Sequence, residues 1–267
     1  MSEKAAQAPS LTYGAAAGRL EMVFARIAQA GFISIADLAA ALGVSPMTAR
    51  RDVQRLAQAG RVAALHGGVK LLAPPAQTGF AQRRQAAAAA KQAIARVAAG
   101  RIGREDSIAI DAGTTTLHLL EHLPTNFTGS IVSHSVPVMA ALMEQTGYRL
   151  VMLGGDLLPD SAALVGPLSV EAASRLRVRS FFLGAASVDA RGVYVKADIE
   201  RPTKRALMQA ADQVVLLADH SKFSLSEPVR LCGLDELDAL VTDRPPPADV
   251  AAALIRAEVA LSLAAPD

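Results

Sequence analysis

The chain has 267 residues, of which 51% are hydrophobic and 19% are charged, with 27 Lys/Arg against 25 Asp/Glu. This composition excludes a disordered chain and indicates a soluble globular protein of one large domain or two smaller ones. Charged residues interrupt every apolar run of about 18 residues, so we expect no membrane span.

Cysteine usage and charge distribution add two expectations. Cys232 is the only cysteine, which excludes an internal disulfide and indicates a reducing, cytoplasmic location. Residues 1–72 contain eight Lys/Arg and four Asp/Glu, whereas the remainder contains 19 and 21. A basic N-terminal part, residues 1–72 and called the head below, followed by a near-neutral remainder fits a polyanionic partner.

The head begins with two predicted helices, residues 20–27 and 35–42, in which apolar side chains recur at helical spacing. We expect Gly31 to end the first helix and Gly43 to close the second. Ser34 is the expected N-cap of the second helix, in a pattern that resembles a capping box.

A third predicted helix, VSPMTARRDVQRLAQAG, carries the positive charge of the head. Ser45 is a good N-cap, and Pro46 suits the first helical position. Hydroxyl and charged side chains share the face away from the core: Thr48, Arg50, Arg51, Asp52 and Arg55. Two short helices with these features describe a helix-turn-helix, whose second helix enters the major groove of DNA. Arginine suits this role because its fork can bind phosphate or guanine.

The segment RVAALHGGVKLL then predicts a β-hairpin wing around His66 and two glycines. The arginines alone would fit an ordinary solvated helix face, but the capped helices before them and the wing after them favour DNA binding. The candidate DNA-binding residues are Ser45, Thr48, Arg50, Arg51, Arg55, His66 and Lys70.

These motifs resemble the N-terminal winged helix-turn-helix of DeoR-type transcriptional regulators. The resemblance rests on SIADLAAALGVSPMTARRDVQRLAQAGRVAALHGGVKL. The sequence departs from the family pattern at Ala49, which replaces a larger aliphatic residue, and at Ala63 and Ala64, where a basic residue is often found. The first change predicts looser packing, and the second predicts weaker phosphate contact beside the wing.

Residues 71–79, LLAPPAQTG, predict a linker stiffened by two prolines. The alanine-rich segment FAQRRQAAAAAKQAIARVAAG then predicts one continuous helix.

From residue 108 onward, strand-like and helix-like segments alternate. The predicted strands are 108–111, 131–133, 149–153, 180–183, 214–218 and 239–242, and the predicted helices are 116–121, 138–144, 170–176, 203–211 and 249–259. This alternation predicts an α/β domain with a largely parallel, buried sheet and a ligand at the carboxyl ends of its strands.

Several of these strand ends carry polar groups. The turn DAGTTT follows the first strand, and its glycine, backbone N–H groups and hydroxyls suit an anion. SHS, LGGD and DHSK follow later strands. Each loop alone would fit a capped turn, but the set predicts a pocket for a phosphorylated small molecule.

The motifs IDAGTTT, LGGDLL, ALVGP, FFLGA, ERPTKRAL and LADHSKF extend the resemblance to the sugar-phosphate-sensing domain of the same regulators. The resemblance covers about residues 18 to 258. It implies a ribose-5-phosphate-isomerase-like fold, a phosphate held by residues 113–116, and Asp111, Glu200, Lys204 and Lys222 near the sugar hydroxyls. His134 replaces the family's asparagine, which predicts a different effector or pH-sensitive binding.

We therefore predict a winged helix-turn-helix domain at 18–72, a linker and connecting helix at 73–90, and a sugar-phosphate effector-sensing domain at 91–260. The predicted effector-binding residues are Asp111, Gly113, Thr114, Thr115, Thr116, His134, Ser135, Gly155, Glu200, Lys204 and Lys222.

The predicted function is a DNA-binding regulator, a repressor of a carbohydrate-catabolism operon that a phosphorylated sugar or polyol releases. Its expected partners are operator DNA, the effector and further copies of itself in a homo-oligomer. We expect no catalytic residue, cofactor or metal. The alternative is an isomerase-like enzyme with an accessory DNA-binding head, in which Asp111 or Glu200 would serve as the base. A metal-dependent hydrolase is less favoured, because His118 and His122 lack an HExxH pattern and a carboxylate ligand.

Overall fold

The computed structural model of the chain describes residues 19–20, 22–24, 26–27, 32–58, 62–65, 67–71 and 79–265, with the backbone alone at 70 and 71. The chain divides into two compact units, residues 1–77 and 78–267. The predicted helix end at Gly31 and the wing residue His66 lie outside the described residues, as does the side chain of Lys70.

The first unit contains helices and a small antiparallel sheet. Residues 19–20, 22–24 and 26–27 are helical. The later elements are β1 (Phe32–Ser34), α1 (Ile35–Leu42), α2 (Pro46–Gln58), β2 (Val62–Leu65) and β3 (Gly68–Leu71). The predicted hairpin of β2 and β3 is confirmed, and β1, which was not predicted, pairs with β3 on its other side.

The predicted start and end of α1 and the predicted start of α2 are confirmed. The Ser34 hydroxyl accepts the backbone N–H of Asp37 at 3.1 Å. Gly43 ends α1 at φ +63°, a conformation that favours glycine. The Ser45 hydroxyl accepts the N–H of Thr48 at 3.2 Å, and Pro46 is the first residue of α2. These caps satisfy backbone N–H groups at the starts of the two helices of the helix-turn-helix.

The second unit contains the remaining α-helices and strands. They are α3 (Gly79–Gln85), α4 (Ala88–Ala99), β4 (Ser107–Ile110), α5 (Thr114–Leu117), β5 (Ser130–Ser133), α6 (Val136–Leu142), β6 (Arg149–Met152), β7 (Asp156–Leu158), β8 (Ala163–Val165), α7 (Pro167–Ser174), β9 (Val178–Gly184), β10 (Ser187–Asp189), β11 (Gly192–Val195), α8 (Glu200–Gln209), β12 (Ala211–Leu217), β13 (Val229–Cys232), β14 (Ala239–Thr242), α9 (Ala248–Arg256) and β15 (Ala260–Leu263).

Seven strands form one parallel sheet in the order β15-β14-β12-β9-β4-β5-β6. Successive residues of each strand enter opposite cores: Phe181 packs on one face and Phe182 on the other, and both are fully buried. The predicted α/β fold with a parallel, doubly covered sheet is therefore confirmed. The described part of the chain has no helix that is long and apolar enough to cross a membrane.

The alanine-rich segment forms two helices rather than the single predicted one. The chain breaks after α3, and Ala87 lies at φ +53°, in the left-handed region. Lys91 explains the break, because its buried ammonium group donates to the carbonyls of Arg83 and Ala86. These side-chain hydrogen bonds within the segment accompany a break that the helix propensity of alanine does not predict.

Two smaller β-structures in the second unit were not predicted. Strands β7 and β8 form an antiparallel hairpin, and β10, β11 and β13 form a three-stranded antiparallel sheet. The predicted helix at 116–121 is instead a four-residue α5 followed by a 3-10 helix over residues 118–122.

Candidate effector cavity and DNA-binding helix

A cavity of about 350 Å³ lies at the carboxyl ends of β4 and β9, from which the sheet extends in opposite directions. Strands β5 and β6 follow β4 on one side, whereas β9, β12, β14 and β15 extend the sheet on the other. Loops after β4 and β9 therefore diverge and leave a crevice at the carboxyl ends of these strands. The lining comes from Arg83, Ala86, Asp111, Ala112, Gly113, Thr114, Thr115, Ser161, Gly184, Ala185, Ala186, Val195, Lys196, Glu200, Lys204, Ser221, Lys222, Leu225 and Glu227.

Asp111 is the electrostatic centre of the cavity floor. Its carboxylate is fully buried; Oδ2 accepts from the Lys204 ammonium and from the backbone N–H of Gly184 at 2.8 Å. Oδ1 lies 2.9 Å from Nε2 of His134. Burial alone would raise the pKa of Asp111, but Lys204 and His134 together hold it well below its ordinary value. Asp111 is therefore a fixed anion that positions Lys204 beside the cavity.

The His134 ring lies beneath this floor and does not line the cavity. Its Nδ1 lies 3.0 Å from the carbonyl oxygen of Leu164, and its Nε2 faces Asp111. The imidazole thus bridges the loop after β4 to strand β8, a connection that the sequence pattern alone did not indicate.

The turn after β4 is fixed by Thr116, whose buried hydroxyl contacts the carbonyl oxygens of Asp111 and Gly113 at 2.8 and 2.9 Å. Gly113 has an ordinary extended φ of −115°, so its role is close approach: an added Cβ would lie 2.9 Å from the Thr116 Oγ1. This arrangement leaves Thr114 and Thr115, the first two residues of α5, on the cavity wall.

The cavity wall carries cationic side chains as well as the acidic Glu200 and Glu227. Arg83, Lys196 and Lys222 all line the cavity, and the described residues offer the Lys222 ammonium no ion pair or hydrogen bond. Burial lowers the pKa of Lys222. Asp219 and Glu227 oppose this effect, while Arg83 and Lys196 add to it by repulsion.

The structure brings together most of the predicted effector residues, although their role in binding stays a prediction. Those on the cavity wall are Asp111, Gly113, Thr114, Thr115, Glu200, Lys204 and Lys222. Four others lie outside the lining: Thr116 and His134 support it from below, the Ser135 hydroxyl caps α6, and Gly155 lies at φ +131° just before the β7–β8 hairpin.

Sequence reasoning missed several polar residues of the wall, namely Arg83, Ser161, Lys196, Ser221 and Glu227. Ser221 and Lys222 belong to the same DHSK motif, so that signal was available. Arg83 lies in the segment predicted as a plain helix, where no sequence signal pointed to the cavity.

The exposed face of α2 is the candidate DNA surface of the first unit. Arg50, Arg51 and Arg55 are exposed along it. Ser45 and Thr48 are joined through their hydroxyl oxygens, 2.9 Å apart, at the start of the helix. The opposite face is buried in the core of the unit through Ala49, Val53 and Leu56.

The helical spacing predicted Asp52 on the same face as the arginines. That prediction is wrong, because Asp52 is buried. Its carboxylate is 1% exposed and accepts from Nε of Arg19 at 2.8 Å. The pair ties α2 to the helical residues at the start of the unit, which were too far away in sequence for the pattern to show.

We expect Asp52→Ala to lower the unfolding free energy of the first unit by about 1–3 kcal/mol, since Arg19 loses its charged acceptor. Urea unfolding followed by circular dichroism measures the change. Adding Arg19→Ala should then cost little more, because the two side chains act as one pair. Additive losses from the two substitutions would contradict the pairing.

The metal alternative finds no support in the geometry. Within the described residues, no group of three or more His, Cys, Asp or Glu is placed to hold a metal ion. His118 instead contacts Glu121, with 3.1 Å between Nδ1 and Oε1.

Comparison with protein families decides the identity of both units. Residues 19–74 match the DeoR-like helix-turn-helix domain, and residues 86–244 match the DeoR C terminal sensor domain. The chain belongs to the DeoR family of transcriptional regulators. The predicted family, its DNA-binding head and its C-terminal sensor are thereby confirmed, and chains of this family are named as repressors in several bacteria.

Two relatives illustrate the match, which extends over most of the chain. The chain is 30% identical over 238 residues to the Glycerol-3-phosphate regulon repressor of Escherichia coli (strain K12), covering 89% of this chain and 94% of that one. It is 30% identical over 215 residues to the Transcriptional repressor AccR of Agrobacterium fabrum, covering 79% and 83%.

Among solved structures, ribose 5 phosphate isomerase A from Neisseria gonorrhoeae aligns with a TM-score of 0.35 and 18% identity. The alignment covers 50% of this chain and 52% of that one. So distant a likeness carries no argument about the DeoR sensor or its ligand.

Proposed function

We propose that this DeoR regulator represses a carbohydrate-catabolism operon and that a phosphorylated sugar or polyol, bound in the cavity of the second unit, releases it from operator DNA. Effector binding would shift the population between a DNA-binding form and a released form, by its difference in affinity for the two. Residues 18–72 form the DNA-binding domain in this proposal, 73–90 the connection, and 91–260 the sensor.

One observation carries the choice of an anionic ligand. Lys222 is partly buried in the cavity beside Arg83 and Lys196, and no described acceptor bonds to its ammonium group. A phosphate group would relieve this repulsion and accept hydrogen bonds from Thr114 and Thr115. Glu200 and the Lys204 ammonium, anchored to Asp111, would then face the hydroxyl groups of a sugar or polyol.

The same geometry favours a sensor over an isomerase-like enzyme. A proton-abstracting base works best with a pKa near the operating pH, whereas the pKa of Asp111 is held far below it. Both of its oxygens are also occupied, by Lys204, Gly184 and His134. Asp111 is therefore unsuited to act as the base. We propose that the cavity binds its ligand without converting it, and recovery of the ligand unchanged tests this for the other candidate base, Glu200.

A thermal-shift panel of phosphorylated sugars, glycerol 3-phosphate and polyol phosphates tests the proposal. A compound present at 100 times its Kd should stabilise the protein by about 2.7 kcal/mol. The stabilising compound should be recovered unchanged after incubation and should weaken the binding of the protein to DNA.

Thr114→Ala should reduce this thermal shift, because the hydroxyl on the cavity wall is lost. The expected weakening is about three- to twelvefold in Kd, the value of one ordinary hydrogen bond. Thr146→Ala, at an exposed site away from the cavity, is the matched control and should bind like the unmodified protein. No shift with any compound, or equal shifts in the two variants, would argue against a phosphate site at this turn.

We also propose that the protein works as a homo-oligomer, since paired heads read repeated half-sites. Sedimentation in the presence of a DNA duplex checks this, and a monomer bound to a single half-site would contradict it.

A further inference from the structure

We propose that α3 is the element through which the occupied cavity acts on the DNA-binding half, with Arg83 as the side chain that senses the ligand. The inference rests on the proposed function, because it requires an anion in the cavity. It assigns roles to Arg83 and to α3 that the sequence did not indicate.

Arg83 joins three parts of the sensor at one guanidinium group. The side chain lines the cavity beside Lys222 and Glu227. Its Nη2 donates to the backbone carbonyl of Asp160 at 2.9 Å, in the turn between β7 and β8. Burial lowers the pKa of the guanidinium, and the carboxylates of Glu200, Asp160 and Glu227 oppose that effect.

The guanidinium also lies against the first turn of its own helix. A Cβ added at Gly79 would come within 2.9 Å of Nη1 of Arg83, so the missing side chain leaves room for the group. Residues 72–78 immediately precede Gly79 and connect it covalently to the first unit. An anion that draws the guanidinium inward therefore acts on the turn to which this connection is attached.

The other end of α3 is separated from α4 by a residue in the left-handed region. Ala87 lies at φ +53°, which costs a non-glycine residue conformational energy. The buried Lys91 compensates by binding the carbonyls of Arg83 and Ala86. Helix α3 is thus a short, separately anchored segment rather than a rigid extension of α4.

The charge of the ligand would make the favoured position of Arg83 differ between the empty and the occupied cavity. Without an anion, Arg83 and Lys222 repel one another in the cavity, and the repulsion contributes to the lowered pKa of Lys222. With an anion between them, the same two cations are drawn to a common partner. Ligand binding therefore changes the preferred position of Arg83, and with it that of α3.

The test uses the full-length protein and hydrogen–deuterium exchange with inorganic phosphate as the probe, together with any compound that stabilises the protein in the panel. The expected result is slower exchange both in residues 112–116 and in residues 79–87. In Arg83→Gln, saturating ligand should still protect 112–116 but no longer 79–87, with Kd raised about ten- to a hundredfold. Arg84→Gln is the matched control, since this neighbouring arginine is exposed and does not line the cavity.

A second readout follows DNA affinity, using duplexes selected by the protein from a random pool. Saturating effector should change the affinity of the unmodified protein and of Arg84→Gln by about 5- to 150-fold, the usual range of allosteric coupling. In Arg83→Gln the effector should bind and leave DNA affinity unchanged.

Two outcomes overturn the inference and are distinguishable from each other. Protection of 112–116 without protection of 79–87 in the unmodified protein, or full coupling in Arg83→Gln, refutes the role of α3 alone. No protection anywhere in the unmodified protein refutes the ligand proposal together with the inference.

Discussion

Asp111→Asn should lower the free energy of unfolding of the second unit by about 3–5 kcal/mol at neutral pH, the usual cost of removing one partner from a buried ion pair. The amide keeps the shape of the carboxylate but leaves the Lys204 ammonium, only 5% exposed, without an anion. It also removes the negative acceptor facing His134 and the backbone N–H of Gly184. Urea unfolding monitored by circular dichroism measures the loss.

The same substitution should alter the pH dependence of stability. The pKa of Asp111 is lower in the folded protein than its ordinary value of 3.8. Its contribution is therefore fully present above that value and is lost as the pH falls through the folded pKa. Asp111→Asn should remove this part of the acid sensitivity, so the difference between the two proteins should shrink as the pH is lowered below 3.8.

A suitable control is Asp198→Asn, which changes the same charge at an exposed position with no described ion pair. Its effect should stay within about 0.5 kcal/mol. If Asp111→Asn were as mild as this control, Asp111 could not be the anion that holds the cavity floor together.

The second large effect is expected on DNA binding. Arg51→Ala should weaken binding to a selected duplex by about 1–3 kcal/mol if Arg51 reads a base. The side chain is exposed on α2, and its removal disturbs none of the buried residues Ala49, Val53 and Leu56. Fluorescence anisotropy at several salt concentrations, with selected and scrambled duplexes, measures the loss.

The pattern of this loss distinguishes two roles for Arg51. A base contact makes the loss larger on the selected duplex, whereas a phosphate contact makes it similar on both and reduces the salt dependence by about one charge. Gln58→Ala, at the exposed end of the same helix, is the matched control. Equal affinities for Arg51→Ala and this control would remove α2 from the DNA interface.

Much of the cavity was predictable because parallel strands bring their carboxyl ends to one edge of the sheet. Asp111, Thr114 and Lys222 follow strands and could be assigned to that edge from the sequence alone. Lys204 came from the family resemblance, and its bond to Asp111 spans 93 positions of sequence. No local pattern reports such a pairing.

The missed residues share a physical cause. Arg83 lies on the helix before the break in the alanine-rich segment, where the buried Lys91 binds the carbonyls of Arg83 and Ala86, and helix propensity does not include such side-chain contacts. Asp52 has the spacing of the arginine face, and its distant partner Arg19 draws it into the interior. In both cases a charged side chain makes hydrogen bonds that the local pattern does not report: two short-range bonds to backbone carbonyls for Lys91, and one ion pair across 33 positions for Asp52.

The strand order also has a consequence for the synthesis of the chain. The central strands β4 and β9 pair through Ile108 and Ser180, so the sheet cannot be joined across its middle until β9 has emerged from the ribosome. The head closes with contacts over much shorter distances, such as the pairing of Phe32 with Lys70. Because local contacts form faster and the N-terminal part is made first, the DNA-binding unit can fold while its sensor is still incomplete. A nascent chain would then have a folded DNA-binding domain before it has a sensor domain that can respond to a ligand.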